Sequence, residues 1–308
     1  MAVDLDGPGP LAVPALFPAV VVAVGAPRVG PSPGADVLLT AEPDPPAPWV
    51  GVADTGVALA LLASRVSAAP VAAVALAQLL RLGPGRSVDE GLALESLTYS
   101  SLQAGPEFRA WAAARPAPLS GSDSGPPVIV ERHGQRLKIT LNRPRVHNAY
   151  NRAMRDALCE ALTVAAVDPG LEVELAGRGP SFCSGGDLTE FATAPDPATA
   201  HLVRTARSPA RLLAAMAGRV TATLHGACAG SGMELPAFAG TVRAGPDTRM
   251  WLPELSMGLI PGAGGTVSLA RRAGPGRTAW LALSGEAVDA PTALAWGLVD
   301  RLSDPEGQ

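Results

Sequence analysis

The sequence predicts an α/β fold preceded by a separate helical segment, and three observations carry this prediction. From residue 128 onward, short apolar runs alternate with segments of helical periodicity, as in α/β proteins. Residues 54–115 place apolar side chains at i, i+3 and i+4, which is the spacing of one helix face. Residues 116–127 are rich in Pro, Ser and Gly and have no periodicity, which is typical of a linker.

The first half of the chain changes character near residue 50. Short Val/Leu runs at 20–24 and 36–40 are strand candidates, although the surrounding prolines argue against a regular sheet. In the helical part, Pro70 suits a first helical turn and the run Gly83-Pro84-Gly85 predicts a stop. We divide the chain into an irregular N-terminal region (1–50), a helical segment (51–115), a linker (116–127) and an α/β core (128–308).

The core begins with residues 128–142, which alternate in the manner of strands on both sides of His133-Gly134 and predict a β-hairpin. The later elements are then expected in this order: a helix at 148–166, a strand at 171–176, a Gly-rich turn at 177–188, a helix at 197–217, a strand at 220–224 and a second Gly-rich turn at 225–235.

Composition excludes several classes of function. The net charge is −4 and no basic block is present, so nothing indicates a nucleic-acid partner. The three cysteines, Cys159, Cys183 and Cys228, form no CxxC pair and predict neither a metal site nor a disulfide framework. The opening residues are acidic and Pro-rich, unlike a signal peptide, and the apolar run at 11–26 is too short to span a membrane. We therefore expect a cytoplasmic protein with no membrane partner.

Two Gly-rich turns are candidates for binding an anion. In GRGPSFCSGGDL, Gly185 and Gly186 allow close approach of a ligand to the backbone and leave N–H groups pointing outward. In HGACAGSGMEL, a helix predicted to start near Ser231 offers free N–H groups to a developing negative charge. Each turn taken alone also fits an ordinary turn between a strand and a helix.

Two glutamates lie in apolar stretches after these turns, Glu234 in GMELPAF and Glu254 in MWLPELSMGLI. A lone Glu on an amphipathic helix usually faces water, and burial of an unpartnered one is costly. Following two such turns, however, the pair indicates a pocket in which one carboxylate acts as a base and the other as an acid.

Four ordered motifs now carry a resemblance to a known family: SFCSGGDL, HGACAGSGMEL, LPELSMGLIPGAGGT and ALAWGLVDRL. Together with LNRPRVHNA (141–149), they resemble the crotonase (enoyl-CoA hydratase/isomerase) superfamily over residues 128–303. The resemblance implies a ββα spiral core, a coenzyme A thioester substrate with no further cofactor, and a homotrimer or homohexamer.

The resemblance also implies roles for individual residues. The backbone N–H groups of Gly186 and Ser231 would hold the thioester oxygen as it becomes an enolate, and Glu234 and Glu254 would hold a water between them. Thr189 stands where the family often has a basic residue, so Arg143 or Arg145 would have to supply the charge for the phosphates. Further substrate contacts are expected from Ser184, Gly185, Asp187, Leu188, Arg143 and Trp251.

The helical segment resembles the part of the family that normally comes last. Residues 56–121 are similar to the family's C-terminal helices, including EGLALE, while the motif WGLVDRL, which those helices would normally follow, ends at residue 302 of 308. We therefore expect a circular permutant with its helical segment at the N-terminus. The alternative is a separate helical domain joined by fusion.

Three functions follow from the resemblance. The first is an enoyl-CoA hydratase of fatty acid metabolism, which adds water across the 2,3 double bond. The second is an isomerase, or another crotonase reaction in secondary metabolism, in which Glu254 acts largely alone. The third is a non-catalytic acyl-CoA-binding scaffold, which the substitutions Ser231 and Thr189 would allow.

Overall fold

The computed structural model describes residues 1–4, 13–27, 34–115 and 125–303. The predicted linker falls mainly on 116–124, which lie outside the described residues. Contrary to the expected irregular region, the described N-terminal residues form a four-stranded parallel sheet. Its strands are β1 (Ala2–Asp4), β2 (Val22–Val24), β3 (Val37–Thr40) and β4 (Val50–Gly51). The prolines fall between these strands, where they remove no ladder hydrogen bond.

Four helices follow the small sheet: α1 (Thr55–Ala68), α2 (Pro70–Leu82), α3 (Val88–Gln103) and α4 (Pro106–Ala114). Asp54 caps α1, and Ser87 with Glu90 forms a capping box on α3. Pro70 occupies the first turn of α2, as predicted. Among the described residues no single helix is long and apolar enough to cross a membrane, whereas α1 and α2 meet the criteria of length and composition only as a pair bent by 110°.

The described part of the core contains nine further strands: β5 (Val128–His133), β6 (Arg136–Leu141), β7 (Glu172–Gly177), β8 (Val220–Leu224), β9 (Ala227–Ala229), β10 (Thr241–Ala244), β11 (Arg249–Trp251), β12 (Val288–Asp289) and β13 (Arg301–Leu302). Six of them form one sheet in the order β13-β10-β8-β7-β6-β5, which is parallel except for the predicted hairpin of β5 and β6. The other three form a small sheet in the order β12-β11-β9.

Within residues 125–303, seven helices accompany these strands: α5 (Arg152–Val167), α6 (Pro197–Ala206), α7 (Pro209–Ala215), α8 (Ser231–Glu234), α9 (Gly265–Ala273), α10 (Pro275–Ser284) and α11 (Ala290–Ala295). The single helix expected at 197–217 is divided in two, because Ser208 caps a new helix that Pro209 begins. Helix α8 is short because Pro236 follows it and lacks the N–H that another turn requires.

The N-terminal elements share a hydrophobic core with the sheet. Leu76 of α2 and Tyr99 of α3 belong to the same buried cluster as Leu175 of β7 and Leu269 of α9. The small N-terminal sheet is fastened to α2 by an ion pair of 2.5 Å between Arg81 and Asp36. The helical segment is therefore packed as part of the core, and its helix α3 forms one wall of a cavity.

Candidate active site

Asn148 holds the first Gly-rich turn in place. Its buried side-chain amide donates to the carbonyls of Arg178, Ser181 and Phe182, and its Oδ1 accepts the N–H of Arg143. Because Asn148 has a positive φ of 54°, it adopts a conformation that Asn tolerates better than most residues. This role was not predicted from the sequence, although the place of Asn148 in the LNRPRVHNA motif was a signal.

The two Gly-rich turns pack directly against each other. A Cβ on Gly185 would lie 3.0 Å from the carbonyl oxygen of Ala229, and one on Gly232 would lie 2.1 Å from that of Cys183. A side chain at Gly232 would thus overlap the opposite backbone. This contact brings the residues that follow Gly185 and precede Gly232 into one place.

The backbone N–H groups of Gly186 and Ser231 occur at this contact. Neither donates a hydrogen bond to any of the described residues. Ser231 is the first residue of α8, where helix geometry leaves the N–H without an internal partner. The Ser231 hydroxyl lies 3.9 Å from the buried Cys183 thiol. Both residues line the same cavity, so two backbone donors without a partner among the described residues are available there to a ligand oxygen.

Glu234 and Glu254 converge on Gly230. A Cβ built on Gly230 would lie 2.4 Å from Glu254 Oε1 and 3.7 Å from Glu234 Oε1. Glu234 closes α8 and is 2% exposed, while Glu254 begins a 3₁₀ turn after β11 and is 8% exposed. Glu254 Oε2 is the buried side-chain oxygen that has no hydrogen-bond partner among the described residues. Such an atom is a natural contact for a reacting group.

A third buried carboxylate, Glu95 of α3, lies beside this pair. Its Oε1 accepts the N–H of Gly264 at 2.7 Å, and its Oε2 accepts the N–H and hydroxyl of Thr266 at 2.9 and 2.6 Å. Glu234 Oε2 accepts the N–H groups of Ala263 and Gly265 at 2.7 and 2.9 Å. Two carboxylates therefore bind the turn that starts α9 through hydrogen bonds. Glu95 was not among the residues predicted from the sequence.

Burial raises the pKa of all three carboxyl groups above the usual value of 4.5. Burial, opposed by backbone hydrogen bonds, raises the pKa of Glu234 to about 7. Burial and the charge of Glu234 raise the pKa of Glu95 to about 8. Burial first, and the charge of Glu234 second, hold the pKa of Glu254 well above its ordinary range. The cluster can thus hold protonated and ionised carboxyls side by side near neutral pH.

These groups line a cavity of about 450 Å³. Among the predicted site residues, Gly186, Asp187, Ser231, Glu234 and Glu254 line it. Ser184, Gly185, Leu188, Arg143 and Trp251 do not.

Several predicted site residues make contacts within the protein that account for their positions. Arg143 is buried and pairs with Asp187 at 2.8 Å, so its charge is directed at a protein carboxylate. Asp187 in turn accepts the N–H and hydroxyl of Thr189, which makes it a structural residue of this turn. Trp251 contributes its backbone carbonyl to the N–H of Gly230. The sequence-based expectation that Arg143 serves a phosphate therefore gains no support from its position.

Five other arginines line the cavity: Arg152, Arg155, Arg204, Arg207 and Arg211. They come from α5, α6 and α7 and from the residues between the last two helices. No sequence pattern distinguished them, since scattered arginines on amphipathic helices ordinarily face solvent.

A family model matches the part of the chain that holds this site. The enoyl-CoA hydratase/isomerase family model matches residues 131–307, which include both turns and both predicted glutamates. The chain belongs to this family. The crotonase-like fold predicted from the four motifs is thereby confirmed.

Relatives within the enoyl-CoA hydratase/isomerase family carry different reaction names. A 2,3-dehydroadipyl-CoA hydratase from Escherichia coli is 38% identical over 173 residues, which are 56% of this chain and 67% of that protein. A trans-2-decenoyl-[acyl-carrier-protein] isomerase from Streptococcus mutans is 33% identical over 54% of this chain and 66% of that protein. The chain thus spans about two thirds of the length of these curated relatives.

Solved structures of the family agree with the fold. The crystal structure of an enoyl-CoA hydratase from Thermoplasma volcanium GSS1 superimposes with a TM-score of 0.55 at 34% identity, covering 59% of this chain and 73% of that one. An enoyl-CoA hydratase/isomerase from Mycobacterium abscessus gives a TM-score of 0.54 at 33% identity, covering 57% and 70%. This protein is therefore an enzyme-family member with a crotonase fold.

Proposed function

We propose that the protein is an enoyl-CoA hydratase, which adds water across the 2,3 double bond of an acyl-CoA thioester. The observation that carries this proposal is the convergence of Glu234 and Glu254 at Gly230, beside two unused backbone N–H donors. A carboxylate pair beside an oxyanion-binding site can deliver a hydroxyl and a proton to neighbouring carbons while the thioester oxygen carries the charge.

The donors would stabilise the enolate. As the hydroxyl adds to C3, negative charge moves to the thioester oxygen, where the N–H groups of Gly186 and Ser231 can receive it. Each donor of this kind contributes about 3–4 kcal/mol of transition-state stabilisation. The dipole of the N-terminal turn of α8 acts in the same direction at Ser231, although a helix of four residues adds little.

We base the proposed roles of the two carboxyls on their hydrogen bonds. Two backbone N–H groups favour the ionised form of Glu234, so Glu234 serves as the base that takes a proton from water. Glu254 lacks such donors at Oε2 and retains its proton to higher pH, so Glu254 serves as the acid that protonates C2. Glu234 gains the proton that leaves water, and Glu254 loses the proton that reaches C2. Transfer of one proton from Glu234 to Glu254 then restores the starting state of the pair.

The arginines at the cavity can supply the charge that Thr189 does not. Arg207 and Arg211 are exposed at the cavity, whereas Arg152 and Arg155 on α5 pair with Glu190 at 3.4 Å and with Asp156 at 2.9 Å. Exposed guanidinium groups suit the strongly hydrated phosphates of coenzyme A. We assign phosphate binding to Arg207 and Arg211 in place of Arg143.

We further propose that α1–α4 replace the C-terminal helices of the family, as the permutation hypothesis requires. Helix α3 supports this, because it contributes Glu95 and Tyr99 to the cavity wall. A fused, independent domain would have no reason to share the core and the cavity of its neighbour.

The homotrimer or homohexamer stays a prediction, as does the cytoplasmic location. Three exposed apolar side chains on the helical segment, Val57, Val71 and Leu97, are candidate subunit contacts. Light scattering on a sizing column measures the subunit number directly.

A crotonyl-CoA assay tests the proposed reaction. Loss of the conjugated thioester absorbance reports hydration, and we expect Glu254→Gln and Glu234→Gln each to lower kcat at least 100-fold while circular dichroism stays unchanged. Glu131→Gln, an exposed carboxylate on β5, is the matched control. If Glu234→Gln leaves turnover intact while a 3-enoyl-CoA is converted to the 2-enoyl form, the protein is an isomerase. Binding of acetyl-CoA without any turnover would identify the scaffold instead.

A further inference from the structure

Arg204 of α6 is a largely covered cation on the wall of the cavity. Its Nε donates to Ser96 Oγ at 3.1 Å and its Nη1 to Gln103 Oε1 at 3.1 Å. Its Nη2 donates to the Ser96 carbonyl at 3.2 Å and to the Ser100 hydroxyl. The guanidinium carbon lies 4.8 Å from the centre of the Tyr99 ring. These contacts fix the guanidinium in one orientation.

All of these partners are neutral. Among the described residues, no carboxylate lies within 4.0 Å of Arg204. Burial lowers the pKa of its guanidinium from the ordinary value, but an arginine side chain stays protonated in proteins, so the group keeps its charge. A covered charge without a counter-ion is costly. Four hydrogen bonds hold the guanidinium in this unfavourable position. An anion in the cavity would lower the free-energy cost of burying its charge.

Tyr99 contacts both Arg204 and the turn that binds Glu234 and Glu95. One face of the ring covers Arg204, while an edge of the ring lies where a Cβ on Gly262 would approach it to 2.5 Å. Gly262 opens the turn whose N–H groups bind Glu234 and Glu95. An arginine paired with these carboxyls would lower their pKa values and remove the protonated form. Arg204 is thus near the candidate site but forms no ion pair with its carboxyls.

The position of Arg204 also differs from that of the two exposed arginines that line the cavity. Arg207 and Arg211 are exposed, whereas Arg204 is covered by α3. The carboxyl whose charge acts on Arg204 is Glu95, and its pKa of about 8 leaves it largely neutral at pH 7. A carboxylate loses less hydration than a pyrophosphate on entering such a place, and Nη1 of Arg204 keeps one N–H beyond its bond to Gln103 that can donate to it.

We infer that Arg204 selects substrates whose acyl chain ends in a carboxylate. The class is an enoyl-CoA thioester of a dicarboxylic acid, with the thioester at the donors Gly186 and Ser231, the double bond at the glutamate pair and the distal carboxylate at Arg204. This assignment rests on the proposed function for the chemistry of the thioester end, while the recognition of the distal anion is a binding property with a test of its own.

Two substrates of equal chain length test the inference. We expect kcat/KM for the monothioester of 2-hexenedioic acid with coenzyme A to exceed that for 2-hexenoyl-CoA at least tenfold. Arg204→Met should lower the ratio of the two values about 100-fold, and Arg204→Lys, which retains the charge but not the planar guanidinium, should lower it less. Arg207→Met is the control, because a phosphate contact affects both substrates alike and leaves the ratio unchanged. A ratio unaltered by Arg204→Met overturns the inference.

Two further measurements separate the possible failures. The same acyl pair is assayed as N-acetylcysteamine thioesters, which lack every phosphate. If Arg204→Met matters only with the coenzyme A thioesters, Arg204 binds a phosphate and the inference is wrong. If no thioester turns over, the proposed reaction fails, and calorimetry with the saturated adipyl-CoA and hexanoyl-CoA decides the recognition alone. Tighter binding of adipyl-CoA, lost in Arg204→Met, supports the inference, and equal binding refutes it.

Discussion

Glu95 and Glu234 accept hydrogen bonds from alternate residues of one turn. Glu95 binds the N–H groups of residues 264 and 266, and Glu234 binds those of residues 263 and 265. The first carboxylate comes from the helical segment and the second from the core. The position of Glu234 in the cavity therefore depends on a turn that an N-terminal helix holds from its other side.

Replacement of Glu95 should affect both stability and the pH profile. Glu95→Gln turns an acceptor oxygen into an NH₂ group that faces backbone donors, and a buried donor left unpaired costs about 1–3 kcal/mol. Loss of the Glu95 charge also removes one cause of the raised pKa of Glu254. We expect a lower free energy of unfolding in urea, and an alkaline limb of kcat moved to lower pH. If stability falls but the alkaline limb of the kcat profile stays at the same pH, the role of Glu95 is purely structural.

Gly230 should be intolerant of any side chain. Its φ is 47° and its ψ is −120°, a conformation that favours glycine, and a Cβ there would lie 2.4 Å from Glu254 Oε1. Gly230→Ala must displace this carboxylate, so we expect kcat for crotonyl-CoA to fall about 100-fold. Gly218→Ala is the matched control, since a Cβ at Gly218 meets nothing within 4 Å. Equal activity of the two variants would contradict the convergence of the carboxylates on Gly230.

Local patterns predicted the elements that carry their own signal. Strand β8 has the predicted bounds, because its buried and exposed residues alternate and a Gly-rich turn ends it. The β-hairpin is also as predicted, with Gly134 at a positive φ of 62° in its turn. The family resemblance supplied the fold, the two glutamates and the two donors, since each belongs to a contiguous motif.

The remaining features depend on contacts that no local pattern contains. Glu95 looks like one more polar residue on α3, and its partner Gly264 lies 169 positions away. Arg204 likewise depends on Ser96, which is 108 positions away. The N-terminal sheet was missed because prolines dominate its connections, although its strands are short apolar runs of the parallel type. Contacts between residues far apart in the sequence thus determine these features, and local sequence patterns do not reveal them.

The buried carboxyls should make the folded state less stable at alkaline pH. Below about pH 4.5, a carboxyl whose pKa is raised on folding is protonated in both the folded and the unfolded state, so it does not change the free energy of unfolding. At higher pH it ionises more readily in the unfolded state, and this lowers the free energy of unfolding. With pKa values of about 7 for Glu234 and about 8 for Glu95, the free energy of unfolding should fall as pH rises from about 5 to 8.5. Urea titrations across this range measure the slope, and Glu234→Gln should flatten it. A stability that rises with pH would contradict the raised values.

The proposed permutation predicts that the order of the two parts can be reversed. We expect a chain that runs through residues 125–303, a flexible Gly/Ser linker and then residues 1–115 to fold and to retain kcat within about tenfold. The reason is that α3 would still place Glu95 and Tyr99 in the cavity, and the apolar face that α1–α4 cover would stay covered. Residues 125–303 alone should be insoluble or inactive, because the turn of α9 loses Glu95 and the shared core is opened. A soluble, active fragment of that length would show that the helices are a separate addition, and circular dichroism with the crotonyl-CoA assay distinguishes the two outcomes.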